Sequence, residues 1–368
     1  MAELARFQNF AKLKDTSVEF NDITVLAGKP STGKSYVMKF VYAMKVNTDK
    51  QRETLNSYLE FSELIIEKSS SLSEIEQKTF LEKLKLLQNE IDSWGDPSQE
   101  DEKKIIQNIY KNTINSIFTN MSQISNNFEV TYKNITLSYF NDILNFKKNY
   151  NYKRKISNII FVETPLILEF HKHMNRKKAK TPYHIESLLN ILDKDYSSTD
   201  EEQDKFIKDF SQKANNIING DIKNQNGSFI FSKNNDKNYD IFNTSSGTKS
   251  IGLLQYLVTN KALKKGSVLF WEEPEVHLHP EWQKKMIELF IELMNAGVKI
   301  VFSTHSAYMI EYLNALSKKR ELTDRISFNL LKEENGIVEN IILSNDNNWD
   351  LIQDELLNPL EEIAWEYL

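Results

Sequence analysis

From Phe7 to Ala27, short apolar runs alternate with Asn and Asp turns, the pattern of a small strand pair leading to a further apolar, strand-like run, Ile23-Thr24-Val25-Leu26-Ala27. A helix is predicted from Ser35 to Lys45. From about Thr48 to Asn127 the text becomes charged and rich in Gln and Asn, with apolar residues at three- and four-residue steps. Leu72, Ile75, Phe80, Leu84, Leu87 and Ile91 form one such stripe, which predicts a helical insertion; Gly95-Asp96-Pro97 divides it into two arms, as in a helical hairpin or lid. Phe128, Val130, Tyr132, Ile135, Leu137 and Tyr139 nearly alternate with polar residues and read as a strand-like segment, while Lys155 to Val162 reads as a second, more buried one. Helices are expected around Pro182 to Lys194 and Thr199 to Ile218, the latter opened by the capping run Thr199-Asp200-Glu201-Glu202. Ser228 to Lys233 and Tyr239 to Phe242 flank Asn234-Asn235-Asp236-Lys237-Asn238 as a hairpin.

Beyond Gly266 the order is strand (Val268 to Trp271), helix (Pro280 to Asn295), strand (Val298 to Ser303) and helix (Ala307 to Ser317), the syntax of a parallel sheet. A hairpin, Ile326 to Leu331 with Gly336 to Leu343, and an acidic helix follow. The expected divisions are 1–46 and 128–345 as two parts of one α/β core, 47–127 as the insertion, and 346–368 as an acidic helical segment. A chain of 368 residues is long enough to bury such a core and to carry a second substructure.

The loop behind Ala27 changes the picture most. Gly28-Lys29-Pro30-Ser31-Thr32-Gly33-Lys34-Ser35 matches G-x-x-x-x-G-K-S/T, placed between a strand and a helix. Its glycines let backbone N–H groups turn toward phosphates, Lys34 reaches the outer ones, the Ser35 hydroxyl is a Mg²⁺ ligand, and the helix presents its positive end to the anion. Val268-Leu269-Phe270-Trp271-Glu272-Glu273 ends a buried strand on two carboxylates, Glu272 to hold Mg²⁺ and Glu273 to take a proton from water. Ser303-Thr304-His305-Ser306 ends the next strand at the same edge, which puts His305 within reach of a γ-phosphate. Asn243 to Ser250 sets hydroxyls and a glycine, including Ser245, Ser246 and Gly247, at the start of another helix, a second anion-binding end or an ordinary N-cap.

Taken in order, a Walker A loop, a Ser-Ser-Gly signature, a Walker B strand with a second glutamate, and a switch histidine resemble the plan of the ATP-binding-cassette (ABC) ATPases. Glu272-Glu273-Pro274-Glu275-Val276-His277-Leu278-His279-Pro280 and Ser303-Thr304-His305-Ser306 are similar to the OLD/RecF-like branch of AAA-type ATPases rather than to a transporter subunit, as are Phe7-Gln8-Asn9-Phe10 and the hairpin before Ser245. The resemblance spans residues 1–46 and about 155–345. It implies an ABC-type P-loop NTPase with a mixed or parallel core sheet, binding ATP with Mg²⁺ as a homodimer or higher homo-oligomer. ATP would lie between Walker A, Walker B and His305 of one protomer and Ser245, Ser246 and Gly247 of another. Where relatives carry a Q-loop glutamine, this chain has Glu163, carried over as a ligand of Mg²⁺ or of water. Two departures stand out: Pro30-Ser31-Thr32 replaces the usual Asn-Gly-Ser, and Glu272 replaces a Walker B aspartate, which points to slow hydrolysis.

Charge and composition narrow the class. The net charge of −6 argues against wholesale coating of nucleic acid, yet Lys147, Lys148, Lys153, Arg154 and Lys155, interleaved with Tyr150 and Tyr152, and the stretch His171 to Lys180 are basic patches suited to DNA or RNA phosphates, or to a solvated face. Absence of cysteine removes thiolate chemistry and fits a reducing cytoplasm. No run approaches the ~18 apolar residues of a membrane span. The expected function is an ATP-driven dimerising switch or sensor that acts on nucleic acid or controls a separate effector, in phage defence or genome maintenance. The competing readings are the motor of a membrane transporter and an ATP-held interaction module with negligible turnover. The stretch after His305 is too short for the TOPRIM domain of OLD nucleases, so cleavage is expected of a partner.

Overall fold

The computed structural model describes residues 2–46, 127–132, 135–140, 143–148, 158–171, 181–194, 201–225, 227–234, 237–343 and 348–357. The predicted insertion (except Asn127), the basic run 149–155 and the basic run 172–180 lie outside the described residues.

Fourteen strands are described. In chain order they are β1 (Glu3–Phe10), β2 (Leu13–Phe20), β3 (Ile23–Ala27), β4 (Asn127–Tyr132), β5 (Ile135–Phe140), β6 (Ile143–Lys148), β7 (Ile159–Val162), β8 (Gly220–Gln225), β9 (Ser228–Lys233), β10 (Asn238–Asp240), β11 (Val268–Glu272), β12 (Lys299–Thr304), β13 (Ile326–Glu334) and β14 (Ile337–Leu343). Eleven form one mixed sheet ordered β6-β5-β4-β1-β2-β14-β13-β3-β12-β11-β7. The run from β13 to β7 is parallel, whereas β1 pairs antiparallel with β2 and β4, and β5 with β4 and β6; β14 joins the halves, antiparallel to β13 and parallel to β2. The fold is therefore α/β with a mixed sheet. Its two halves follow from their residue patterns. β3, β7 and the Val268–Trp271 stretch of β11 are buried throughout, because helices cover both faces, whereas β1 and β4 alternate buried and exposed positions.

One layer of core packs the helices Tyr183–Asp193, Glu201–Ile218, Ser246–Thr259, Pro280–Asn295 and Ala307–Lys319 against one face of the sheet. The other face belongs to the phosphate-loop helix, 34–46, whose Val37, Met38, Phe40, Val41, Tyr42, Ala43 and Met44 are all buried. Tyr42 meets Phe161 of β7 and Phe270 of β11 edge-on, at ring-centroid distances of 5.2 and 5.7 Å. Each such pair contributes about 0.5–1.5 kcal/mol beyond its burial. These contacts hold the helix that carries Lys34 against the strand that ends in Glu272.

Three local expectations change. The alternation from Phe128 to Tyr139 is not one strand but the antiparallel pair β4 and β5, with Tyr132 opposite Ile135; the two-residue spacing slips to three between those residues, where one arm gives way to the other. Tyr239 is in β10, but Ile241–Asn243 is a 3₁₀ turn capped by the Asp240 side chain, which accepts from the Phe242 amide at 2.9 Å. A third strand, β8, joins that hairpin; its polar text, Gly-Asp-Ile-Lys-Asn-Gln, carries no strand signal.

Candidate functional site

Parallel register gathers the chemistry at one edge. Thr304 lies opposite Ala27, Glu272 opposite Ser303, and Trp271 opposite Val162, so the segments starting at Gly28, Glu273, His305 and Glu163 all leave the sheet side by side at strand carboxyl ends.

The phosphate loop is drawn tight by its own backbone. Gly28 has φ +140°, and a Cβ there would fall 2.3 Å from the Leu331 carbonyl oxygen of β13, so only glycine fits. Gly33 has φ +89° and Ser31 φ 65°; the latter is a left-handed position that glycine occupies more easily than serine. Pro30 and Ser31 are exposed, while Thr32 is buried and donates to the Lys29 carbonyl at 2.9 Å. The buried Lys34 ammonium donates to the carbonyls of Gly28 and Lys29, both at 2.8 Å. Burial lowers its pKa to about 8, against the opposing pull of Glu273, Glu275 and Glu272. Lys29 itself pairs with Glu355 at 3.2 Å.

Burial lifts Glu272 to about 7, with the positive charge of Lys39 opposing the rise. Its Oε1 is buried without a hydrogen-bond partner, and the nearby Ser35 hydroxyl favours the charged form of the carboxyl. An orphaned acid oxygen beside a hydroxyl suits a hard cation completed by phosphate oxygens and water. Among the described residues, no group of three or more His, Cys, Asp or Glu is arranged to hold a metal unaided. Glu163 spends Oε1 on Lys39 and Oε2 on the buried His184, both at 2.9 Å. The His184 hydrogen bond, with help from Lys39 and against burial, holds Glu163 down at about 2. Glu163 and Lys39 thus form a charged pair next to Glu272. Lys39 is foreshadowed in the sequence by its place four residues beyond Ser35, on the same helix face. His184 is not.

Glu273 adopts φ 44°, a left-handed position that is costly for a non-glycine residue and that gathers at functional sites. Its amide donates to the Ser303 carbonyl at 3.1 Å, and its Oε1 lies 3.0 Å from His305 Nε2. A carboxylate only accepts, so the imidazole hydrogen sits on Nε2, while Nδ1 is buried without a partner. Burial and the Lys34 charge push the His305 pKa down, with Glu273 opposing, so the ring is neutral at pH 7. Glu275, a residue not singled out from sequence, accepts from the Thr304 hydroxyl at 2.8 Å and from the His305 amide at 2.6 Å. The separation of 30 residues hides that contact from any local pattern.

The signature end is built differently. Ser245 is exposed and caps the helix Ser246–Thr259, its hydroxyl accepting from the Thr248 amide at 3.2 Å and sharing a hydrogen bond with the Thr248 hydroxyl. Ser246 is half-buried, and Gly247 is buried under the loop after Glu273, where an added Cβ would meet the His277 carbonyl and Leu278 at 3.3 Å. Among the described residues, no side-chain hydrogen bond or ion pair joins Ser245 to the phosphate loop, Glu272, Glu273 or His305.

Residues 7–311 match the family described as "AAA domain, putative AbiEii toxin, Type IV TA system". The Old nuclease of Escherichia phage P2 is 27% identical over 107 residues, a stretch that spans 27% of this chain and only 17% of that nuclease. Among solved structures, the SMC head domain from Thermotoga maritima aligns at a TM-score of 0.45 and 10% identity, covering 93% of this chain and 99% of that one. An Smc head domain with an extended coiled coil, bound to the C-terminal domain of ScpA derived from Pyrococcus furiosus, aligns at 0.48 and 11%, covering 99% of each. An ATP-binding cassette of an ABC transporter in its ADP conformation aligns at 0.37 and 12%, covering 100% of each. No helix among the described residues is long and apolar enough to cross a membrane. The chain belongs to the AAA family whose description residues 7–311 match.

Proposed function

Taking that family membership as the premise, we propose that the protein is a Mg²⁺-dependent ATPase that closes around ATP as a homodimer and serves as a nucleotide-driven switch. The observation that carries this reading is the separation of two half-sites. Lys34, Glu272, Glu273 and His305 are assembled at one sheet edge, while Ser245 stands exposed at a helix N-terminus joined to none of them. Such an end binds anions, and the γ-phosphate held by a second copy supplies one.

On ATP binding, Lys34 exchanges the Gly28 and Lys29 carbonyls for phosphate oxygens, and the loop amides enclose the rest of the chain of phosphates. Ser35 and Glu272 are the residues that would hold Mg²⁺, with the Glu163–Lys39 pair setting the charge beside them. The cation, when bound, neutralises phosphate charge. Glu273 accepts the proton of the attacking water, and neutral His305, bonded to Glu273 through Nε2, fixes that carboxylate and faces the γ-phosphate. Hydrolysis removes the charge that joins the two helix ends and lets the protomers part.

The state so controlled belongs to a separate effector or to nucleic acid. A type IV toxin–antitoxin description for the family, and the partial likeness to a phage nuclease, support defence as the setting. Glu273→Gln tests the switch. It keeps every ATP-binding group, so under saturating Mg-ATP it accumulates as a dimer by light scattering while phosphate release falls by about 10²–10⁴-fold. A monomer under those conditions overturns the reading.

A further inference from the structure

We propose that Glu275 is a positioning residue for ATP hydrolysis, setting His305 against Glu273 by accepting hydrogen bonds from the Thr304 hydroxyl and the His305 backbone amide. This rests on the reading of Glu273 and His305 as the hydrolytic pair.

β12 ends at Thr304, whose register partner is Ala27, the last residue of β3. His305 is thus the first residue past the ladder, and its amide goes to Glu275 Oε1 at 2.6 Å. The same oxygen takes the Thr304 hydroxyl at 2.8 Å, and Thr304 Oγ1 in turn accepts from the Ser306 amide at 2.9 Å. One carboxylate therefore fixes the backbone on both sides of the histidine. Ser306 finishes the clamp, donating to Gln283 Oε1 at 2.6 Å and accepting from the Met309 amide as the cap of the next helix.

The other end of the grip is equally defined. Glu273 and Glu275 sit on a single tight turn, closed by the Val276 amide donating to the Glu273 carbonyl at 3.0 Å and the Leu278 amide to the Glu275 carbonyl at 2.8 Å. Because both acids share that turn, holding the His305 backbone with Glu275 holds the ring against Glu273, at 3.0 Å. Two acids on one turn thus bind one histidine, Glu275 at the main chain and Glu273 at the imidazole. Oε2 of Glu275 is buried without a hydrogen-bond partner, an arrangement with no use in solvation or in a surface ion pair.

Three variants test this against wild type, read by steady-state phosphate release, Mg-ATP affinity at equilibrium, and the His305 amide resonance in a ¹⁵N TROSY spectrum of the full chain. Glu275→Ala removes the acceptor: the His305 amide proton moves upfield, kcat falls by about tenfold to a hundredfold, and Mg-ATP affinity and KM stay within about twofold. Glu275→Gln keeps an acceptor oxygen at the same reach, and both the amide position and kcat return to within about threefold of wild type. Equal losses in the Gln and Ala variants, or an Ala variant with wild-type kcat and an unmoved His305 amide, overturn the proposal. Should Glu275→Ala not fold, Glu275→Asp keeps the charge but shortens the side chain; it is expected to show the same losses, and parity with wild type overturns the proposal. A wild-type chain that hydrolyses no ATP defeats the ATPase reading instead, and the amide shift in the variants still decides whether Glu275 places His305.

Discussion

The edge proposed to be catalytic and the end proposed as the signature are both built from loops that open helices, yet they are finished to different degrees. At the catalytic edge, polar groups are buried and largely satisfied from within. Lys34 occupies two carbonyls, His305 is held at ring and backbone, and the buried hydrogen-bonding capacity left over includes Glu272 Oε1, Glu275 Oε2 and His305 Nδ1. At the signature end, Ser245 is exposed and its hydroxyl serves only its own helix among the described residues. The difference teaches that one region turns its polar groups onto one another, whereas the other leaves a helix cap open to solvent. Burial makes the first sensitive to any lost partner, and exposure makes the second tolerant of change unless another molecule arrives.

That contrast predicts how substitutions divide. Lys34→Ala has the largest effect: it removes the only ammonium in the loop's interior, and Mg-ATP affinity by equilibrium dialysis falls about a hundredfold or more. Ser245→Arg comes next. Affinity for ATP stays within about twofold, but ATP-dependent association seen by analytical ultracentrifugation drops by about tenfold or more, because a bulky cation occupies the exposed cap. Persisting dimers would erase the distinction between the two regions. Ser245 is the cleaner position for this test than Gly247, where a new side chain presses on His277 and Leu278 of the same protomer.

A smaller effect is pH-dependent. With Glu272 raised to about 7, a proton competes with the cation below that pH, so the apparent Mg²⁺ affinity of the nucleotide-bound protein falls by about tenfold per unit on acidification and levels off above it. Glu272→Gln should flatten that profile. The smallest effect concerns stability. Glu163 is lowered from 4.5 to about 2 in the fold, so its contribution is present above 4.5 and disappears as pH falls through about 2. The advantage of wild type over Glu163→Gln in urea midpoint should therefore narrow across that acid window, and a constant gap would mean that the His184 and Lys39 contacts do not hold the charged form.

Much of the architecture was legible where the signal is local. The helix Pro280–Asn295 has the expected bounds, because His279 caps it, proline opens it and its apolar residues recur at helical spacing. The strand ending in Glu272 and the strand ending in Thr304 each fall within a residue of expectation, since unbroken apolar runs mark strands buried on both faces. β8 was not legible, because its pairing with β9 compensates for a polar sequence. The division into β4 and β5 shows in the sequence only as a slip in spacing, from two residues to three between Tyr132 and Ile135, too slight by itself to separate two strands from one irregular strand. At the site, the phosphate loop and the paired glutamates were readable as motifs of a few residues. The Glu163–His184–Lys39 group and the Glu275–His305 contact were not, since each joins residues that are far apart along the chain.

By itself the sequence determined the local chemistry: a glycine-rich turn between strand and helix, two acids ending an apolar run, and hydroxyls at a helix start, each set by a handful of neighbouring side chains and backbone preferences. Only the tertiary structure decided which of those pieces share a space. Parallel register placed Gly28, Glu163, Glu273 and His305 along one edge, gave Glu275 the main chain of the histidine to hold, and left Ser245 facing outward. The reason is physical: burial, pKa and hydrogen-bond partnership depend on packing between segments hundreds of residues apart, and no short stretch of chain carries that information.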